Sequence, residues 1–257
     1  MSTDASIFNV LQSVDSTNNY AMAKVHAGMA KHGDSFFTMQ QNNGKGQRGK
    51  HWVGSKDENI AISIVIEPSV LGLSQPFKLS AAVALATFYF FSAYAGDETS
   101  IKWPNDIYWR DRKAAGILIE NVIGSKGLQL PGPDNMLWKY AVAGIGVNIN
   151  QTQFDAALIN PVSLKQITGK HFDCTELARQ LQQMILAEVE KVLNGSFEKT
   201  LQQYNEHLFK KDCRVQLKKD TVLFETTIQS VNEAGQLLTT DLIDNHFDFG
   251  AIEWVLK

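Results

Sequence analysis

Two runs of residues in this chain could do chemistry. The first is Lys102-Trp103-Pro104-Asn105-Asp106, followed seven residues later by Lys113-Ala114-Ala115-Gly116. Trp and Pro stiffen the backbone and cover an apolar surface. Asn and Asp supply polar atoms, two lysines bracket the unit, and Gly116 lets a ligand reach the main chain. The residues between, Ile107–Arg112, read as a short strand and a tight turn, so the lysines stand at the ends of neighbouring hairpin strands, aimed at one place. Converging ammonium groups beside a stiff aromatic wall suit an anionic ligand. Taken alone, the same residues also fit a plain hairpin with surface lysines and a packed Trp.

The second run is Gln40-Gln41-Asn42-Asn43-Gly44-Lys45-Gly46-Gln47-Arg48-Gly49-Lys50-His51-Trp52. Its glycines permit positive φ and close approach of backbone N–H groups, and its cations suit phosphate or carboxylate oxygens. The spacing Gly44-x-Gly46-x-x-Gly49 matches a dinucleotide fingerprint. The next element, Asn59–Ile66, reads as a strand rather than a helix, which excludes that fold. With no apolar anchor before Trp52, the segment Asn42–His51 is expected to be mobile and to close over a ligand.

The elements that must position these runs follow from periodicity and punctuation. Ile7–Leu11 reads as a strand. Ser16 or Thr17 caps a helix running to about Ala27 and ended by Gly28. Phe36–Gln41 and Asn59–Ile66 read as strands flanking the Gly-rich loop. Ser74 caps a helix with Pro76 in its first turn, running to about Tyr94. Ile101–Trp103, Ile107–Trp109, Ala115–Val122 and Tyr140–Asn148 read as strands, and Gly124–Asn135 as a loop. Asp173 with Glu176 opens a helix whose apolar stripe runs through Leu177, Leu181, Met184, Ile185 and Val192. Phe197–His207 is a further helix. From Cys213 the pattern turns to short β runs, Arg214–Leu217, Val222–Val231, Gln236–Thr240 and Ile252–Leu256, a small antiparallel barrel in outline.

Bulk properties narrow the classes. A length of 257 residues fits one large domain or a main domain with a small one, and a net charge of −3 gives no basic footprint for nucleic acid. The cysteines, Cys174 and Cys213, have no CxxC partner and fit a reducing cytoplasm. The N-terminus is polar, without the look of a signal peptide, and the apolar run Ala81–Phe91 reads as too short and too interrupted to span a bilayer.

Taken together and in order, the motifs resemble those of biotin–protein ligases. They are Asp15-Ser16-Thr17-Asn18, the Gly-rich loop, Lys102-Trp103-Pro104-Asn105-Asp106, Lys113-x-x-Gly116-Ile117-Leu118-x-Glu120, Gly144-Ile145-Gly146-Val147-Asn148, and Gly250-x-Ile252-Glu253-Trp254. The loop departs from the family's usual Gly-Arg-Gly-Arg, because Gln47 replaces its second arginine. The tail has Ala251 where the family carries Glu. About fifteen residues precede the Ser-Thr-Asn motif, too few for the helix-turn-helix module of members that also repress transcription.

The resemblance implies an α+β fold. A catalytic domain over residues 1–210 would be a mixed β-sheet with helices on one face, similar to class II tRNA synthetases, and residues 211–257 would form an SH3-like β-barrel. It implies an ATP-dependent ligase that makes biotinyl-5′-AMP and transfers biotin to a lysine of a biotin carboxyl carrier protein, with Mg²⁺ held through the ATP phosphates. The implied catalytic residues are Lys102, Lys45 and Arg48. Biotin would be held by Ser16, Thr17, Asn18, Gln41, Lys45, Gly46, Gln47, Lys102, Gly116, Gly144 and Gly146, the two strand glycines leaving room for its rings. ATP would be held by Arg48, Lys50, Trp52, Asn105, Lys113 and Asn148. The alternatives are a lipoate–protein ligase and a non-catalytic adenylate-binding regulator, the latter having no need of Lys102. The expected setting is cytoplasmic, without DNA or membrane partners, and a homodimer is left open. The tail would serve carrier docking, so its deletion should impair transfer more than adenylation.

Overall fold

A computed structural model of the chain describes residues 7–125 and 136–255. The order of elements is β1 (Phe8–Leu11), α1 (Thr17–His26), β2 (Ser35–Thr38), β3 (Gly44–Lys45), β4 (His51–Trp52), β5 (Asn59–Ile66), α2 (Pro76–Ala95), β6 (Thr99–Lys102), β7 (Asp106–Trp109), β8 (Arg112–Ser125) and β9 (Met136–Asn148). There follow α3 (Leu164–Thr168), α4 (Cys174–Leu193), α5 (Phe197–Glu206), β10 (Arg214–Lys219), β11 (Val222–Val231), β12 (Leu237–Thr240), β13 (Asp244–Phe247) and β14 (Glu253–Trp254).

Seven strands form one sheet in the order β1-β2-β5-β9-β8-β7-β6; β1 and β2 are parallel and the other pairs antiparallel. Strand β5 shows how the sequence divides the sheet. Ile60, Ile62, Ile64 and Ile66 are fully buried in the main core, with residues of α2 and α4. Burying each such side chain is worth about 1.5–3 kcal/mol. The alternate residues Asn59, Ala61, Ser63 and Val65 point to the opposite face. Strand β9 repeats the pattern, with Ala143, Ile145 and Val147 in the main core and Gly144, Gly146 and Asn148 opposite.

Helix α1 corrects one expectation. Its Ala21 and Val25 pack with Phe36, Val65 and Val142 in a second cluster, on the face away from α2 and α4. Helices therefore lie on both faces, because Val65 among the odd positions of β5 gives α1 an apolar residue to cover. Helix α2 also departs from the reading of Ala81–Phe91 as too short. It is a 20-residue helix long and apolar enough to cross a membrane by length and composition alone, yet most of it is buried against the core.

Capping follows local chemistry. Ser16 caps α1, its hydroxyl accepting from Asn19 N at 3.5 Å, and Gly28 with φ +67° follows the helix end. Ser74 does not cap α2. Gln75 takes that position and its side chain instead accepts from Gly72 N, while Pro76 at the first helical position has no N–H to satisfy. The sequence reading also passes over α3 and β13. The first is only five residues, although its capping box of Ser163 and Gln166 is legible in the sequence. The second is polar and half exposed, so it carries no alternation. Strand β8 runs through Ser125, so Gly124 and Ser125 of the expected loop belong to a strand, and its remaining residues, 126–135, lie outside the described ones.

The tail strands form a five-stranded antiparallel sheet in the order β13-β12-β11-β10-β14. The last strand covers only Glu253–Trp254 of the expected Ile252–Leu256, and Leu256 lies outside the described residues. Leu217, Ile228, Leu237 and Phe247 of this sheet join the main core cluster, so the tail shares the apolar interior of the larger sheet.

Candidate active site

A cleft of about 870 Å³ opens on the face of the large sheet away from α2 and α4, bounded by the Gly-rich segment and the tail. Every residue nominated above for catalysis, biotin or ATP lines it. Convergence from α1, the Gly-rich segment, β6, β8 and β9 is what the fold adds to the sequence.

The floor is built of glycine, though its clearance is used differently from the expectation. A Cβ at Gly144 would lie 2.1 Å from Asn18 Oδ1, and one at Gly146 would lie 2.2 Å from the Trp52 ring. Gly116 faces the same ring at 3.1 Å. The room above these strands is thus taken by the Asn18 amide and by Trp52, which stands as one wall of the cleft.

One end of the cleft is a polar network anchored on α1. Gln41 Oε1 accepts from Thr17 N at 2.9 Å and from Thr17 Oγ1 at 3.2 Å. Ser63 Oγ lies 2.8 Å from Thr17 Oγ1 and 2.6 Å from Asn18 Oδ1. Asn18 Nδ2 donates to Glu120 Oε2 at 2.8 Å, and Glu120 Oε1 pairs with Lys45 Nζ at 3.5 Å. Because Ser16 does the capping, Thr17 and Asn18, both buried, are free to serve this network.

The other end is cationic. Lys102 at the end of β6 and Lys113 on β8 share one face, but β7 lies between their strands, so they are not on neighbouring strands as the sequence suggested. Asp106 on β7 stands between the two strands and pairs with Lys113 at 2.7 Å. Lys102 has no carboxylate partner within ion-pair distance among the described residues. Its Nζ lies 5.1 Å from the centre of the Tyr108 ring and 5.4 Å from that of Trp254. Burial pushes the Lys102 ammonium down to about 8; Asp106 opposes the shift, and Lys113 and Lys50 add to it. Burial, reinforced by Asp106, drives the Tyr108 phenol far above its ordinary value, so that ring is neutral.

Around Lys102 the backbone is tied on several sides. Trp103 is buried rather than part of the strand, and its Nε1 donates to Gly235 O of the tail at 2.9 Å. Asn105 Nδ2 donates to Ile117 O, and Ile117 N returns a bond to Asn105 O at 3.1 Å. Asn148 is spent on structure, its Nδ2 donating to Val162 O at 3.1 Å and Lys113 O at 3.4 Å.

The Gly-rich segment is a short hairpin, β3 and β4 joined by a 3₁₀ turn over Gln47–Gly49. Its anchors are polar side chains, not apolar ones. Lys45 reaches Glu120 and Gln47 Nε2 reaches Ile117 O at 3.4 Å. Arg48, left-handed at φ 55°, sets its guanidinium over the Phe249 ring at 5.0 Å. It fills the space a side chain at Gly250 would need.

The sequence gives no role to Ser63, Glu120, Asp106, Phe249 or Trp254, although Asp106, Glu120 and Trp254 stand inside its motifs. Ser63 had a signal, a small polar residue among isoleucines in an alternating strand. Phe249 had none, and the tail motif that holds Trp254 gives no hint of its place, because only the tertiary fold brings the tail to the cleft.

Comparison with known proteins agrees with this geometry. The profile of the Biotin/lipoate A/B protein ligase family matches residues 10–130. Residues 10–130 thus carry this family's domain. The chain is 33% identical over 176 residues to the biotin–[acetyl-CoA-carboxylase] ligase of Paracoccus denitrificans, covering 65% of this chain and 66% of that protein. It is 28% identical over 183 residues to the bifunctional ligase/repressor BirA of Escherichia coli, covering 70% of this chain and 53% of BirA. The match thus spans about half the length of that relative. The fold is that of the Aquifex aeolicus biotin protein ligase solved in complex with biotin and ATP, with a TM-score of 0.78, 21% identity, and coverage of 97% of this chain and 99% of that one.

Proposed function

We propose that this chain activates biotin with ATP as biotinyl-5′-adenylate and transfers the biotinyl group to a lysine of a biotin carboxyl carrier domain. The observation that carries the proposal is the convergence of Lys45, Arg48, Lys50, Lys102 and Lys113 on one cleft with a glycine floor and a Trp wall. The named relatives give the chemistry its substrate.

In the first step a biotin carboxylate oxygen bonds to the α-phosphorus of ATP and the bond to the bridging oxygen breaks, releasing pyrophosphate. Two anions must meet, so cationic stabilisation at the reacting centre is the main requirement. Lys102 meets it. No carboxylate among the described residues lies within ion-pair distance of its ammonium, and it lines the same cleft as the polar network and the other cations. Lys113 and Lys45 are held by Asp106 and Glu120 until an anionic ligand arrives. Thr17, Asn18, Gln41 and Ser16 offer donors and acceptors for the ureido group. Gly46, Gln47, Gly116, Gly144 and Gly146 line the slot around the rings. Arg48, Lys50, Trp52, Asn105, Lys113 and Asn148 line the nucleotide end. In the second step the carrier amine attacks the acyl carbon and AMP leaves. The hairpin and tail shield the mixed anhydride from water until then.

Among the described residues, no three His, Cys, Asp or Glu side chains gather as a metal cage. Mg²⁺ would therefore enter on the triphosphate and neutralise its charge. The reading includes a class II synthetase-like catalytic domain over residues 1–210, an SH3-like module over 211–257, a cytoplasmic setting and no specific DNA binding, and it leaves a homodimer open. Exchange of labelled pyrophosphate into ATP tests it. Exchange should depend on biotin and not on lipoate. Lipoate-dependent exchange without biotin-dependent exchange would replace biotin by lipoate, and no exchange with either would favour a non-catalytic adenylate binder.

A further inference from the structure

We propose that Trp254, on the last tail strand, is a positioning residue for adenylation, closing an aromatic slot that fixes the Lys102 ammonium. The inference deepens the function proposed above and rests on it. Lys102 and Tyr108 sit diagonally on one face of the β6–β7 ladder, where Lys102 pairs with Asp106 and Ser100 with Tyr108. Phe209 backs this pair. Its ring is 5.2 Å from Tyr108 and 5.5 Å from Trp254, and its N–H donates to Ile101 O at 2.8 Å, one residue before Lys102. Trp254 is held in turn by its register opposite Leu217 and by Val255 N donating to Gln216 O at 3.1 Å. Tyr108 and Trp254 thus flank the ammonium, Phe209 joins the two rings, and Lys102 lines the cleft.

The Trp254 indole N–H is buried without an acceptor among the described residues. No hydrogen bond explains a Trp there, so its ring is the part that matters. Two aromatic faces attract a cation more strongly when water is excluded, and they limit its rotamers. The charged groups acting on Lys102 are Asp106, Lys113 and Lys50, and Tyr108 is the titratable group against it. The depression of the Lys102 ammonium to about 8 has burial as its first cause, and Trp254 supplies part of that burial. The tail thus serves adenylation as well as carrier docking, and its removal damages both steps.

The test uses the full chain with Trp254→Phe, Trp254→Leu and Trp254→Ala. Leu keeps apolar volume and strand pairing if Ala disturbs the tail. Two quantities are read: the Lys102 titration by NMR of isotopically labelled lysine, and the pH profile of kcat/KM for biotin-dependent pyrophosphate exchange. Trp254→Phe should keep exchange within about threefold, whereas Trp254→Leu should lose roughly tenfold. Trp254→Ala admits water, so Lys102 should titrate higher and the alkaline limb of the profile should move up with it. Unchanged exchange and Lys102 titration in the Leu and Ala variants would overturn the proposal, as would equal damage by Phe and Leu. A wild-type chain without biotin-dependent exchange would overturn the biotin reading alone. The NMR arm then decides the slot, an upward shift in Trp254→Ala supporting it and no shift sinking it.

Discussion

The two faces of the large sheet are made by the same strands and differ in every other respect. On β5, Ile60, Ile62 and Ile64 face the helical core while Ala61 and Ser63 face the cleft. On β9, Ala143 and Ile145 face the core while Gly144 and Gly146 form the cleft floor. Alternation with period two lets one ladder carry stability on one side and chemistry on the other. Substitutions on the two faces should therefore separate the two properties.

The largest effect should come from the cleft face. Lys102→Ala should reduce pyrophosphate exchange by roughly 10²–10³, about 3–4 kcal/mol of barrier, as for other positioned electrostatic groups. Its stability should not fall. Burial lowers the folded pKa of Lys102 to about 8 from its ordinary 10.5, so between those values the unfolded chain binds more protons. Wild-type stability should rise with pH across that window, and Lys102→Met should remove the rise in pH-dependent thermal melts. Activity should move the other way, falling as the free-enzyme ammonium titrates above about 8.

On the core face, Ile62→Ala should cost about 2–5 kcal/mol of stability while the folded fraction keeps its exchange activity. Urea denaturation with parallel activity measurements checks both halves. Loss of activity far beyond the unfolded fraction would break the comparison.

How much of this division was legible varied along the chain. The alternation of Asn59–Ile66 located β5 and its faces, and punctuation located α1, α2 and α4 to within a few residues. The lining of the candidate cleft was legible because its residues sit in short, unusual runs that all reach it. Where reasoning from the sequence failed, the reason was distance or competition. Phe249 and Trp254 lie far from Arg48 and Lys102 in sequence, so local pattern could not place them there. The space over Gly144 and Gly146 was assigned to a ligand's rings, whereas Asn18 and Trp52 of the chain itself occupy it. Ser74 looked like a cap, but Pro76 fixed the helix start one residue too late for it.

A smaller effect should follow from Gly146→Ala. The new methyl meets the Trp52 ring and must displace it, an overpacking cost of about 1–3 kcal/mol. Biotin binding by calorimetry should weaken roughly tenfold, because the wall moves with the ring. The smallest effect is expected at the junction of hairpin and tail. Arg48→Gly suits the left-handed backbone and removes the contact with Phe249, worth about 0.5–1 kcal/mol. Exchange should fall only modestly with the loss of one of five cleft cations, whereas labelling of bystander lysines should rise severalfold as adenylate escapes. Mass spectrometry of an added unrelated protein reads this directly.

The most direct measurement is intact-mass analysis of a biotin carboxyl carrier domain incubated with this chain, ATP and Mg²⁺, with biotin or with lipoate. We predict one biotinyl group on one carrier lysine, dependent on ATP and lost in Lys102→Ala. Lipoyl addition without biotinyl addition, or no acyl addition from a folded enzyme, would contradict the account.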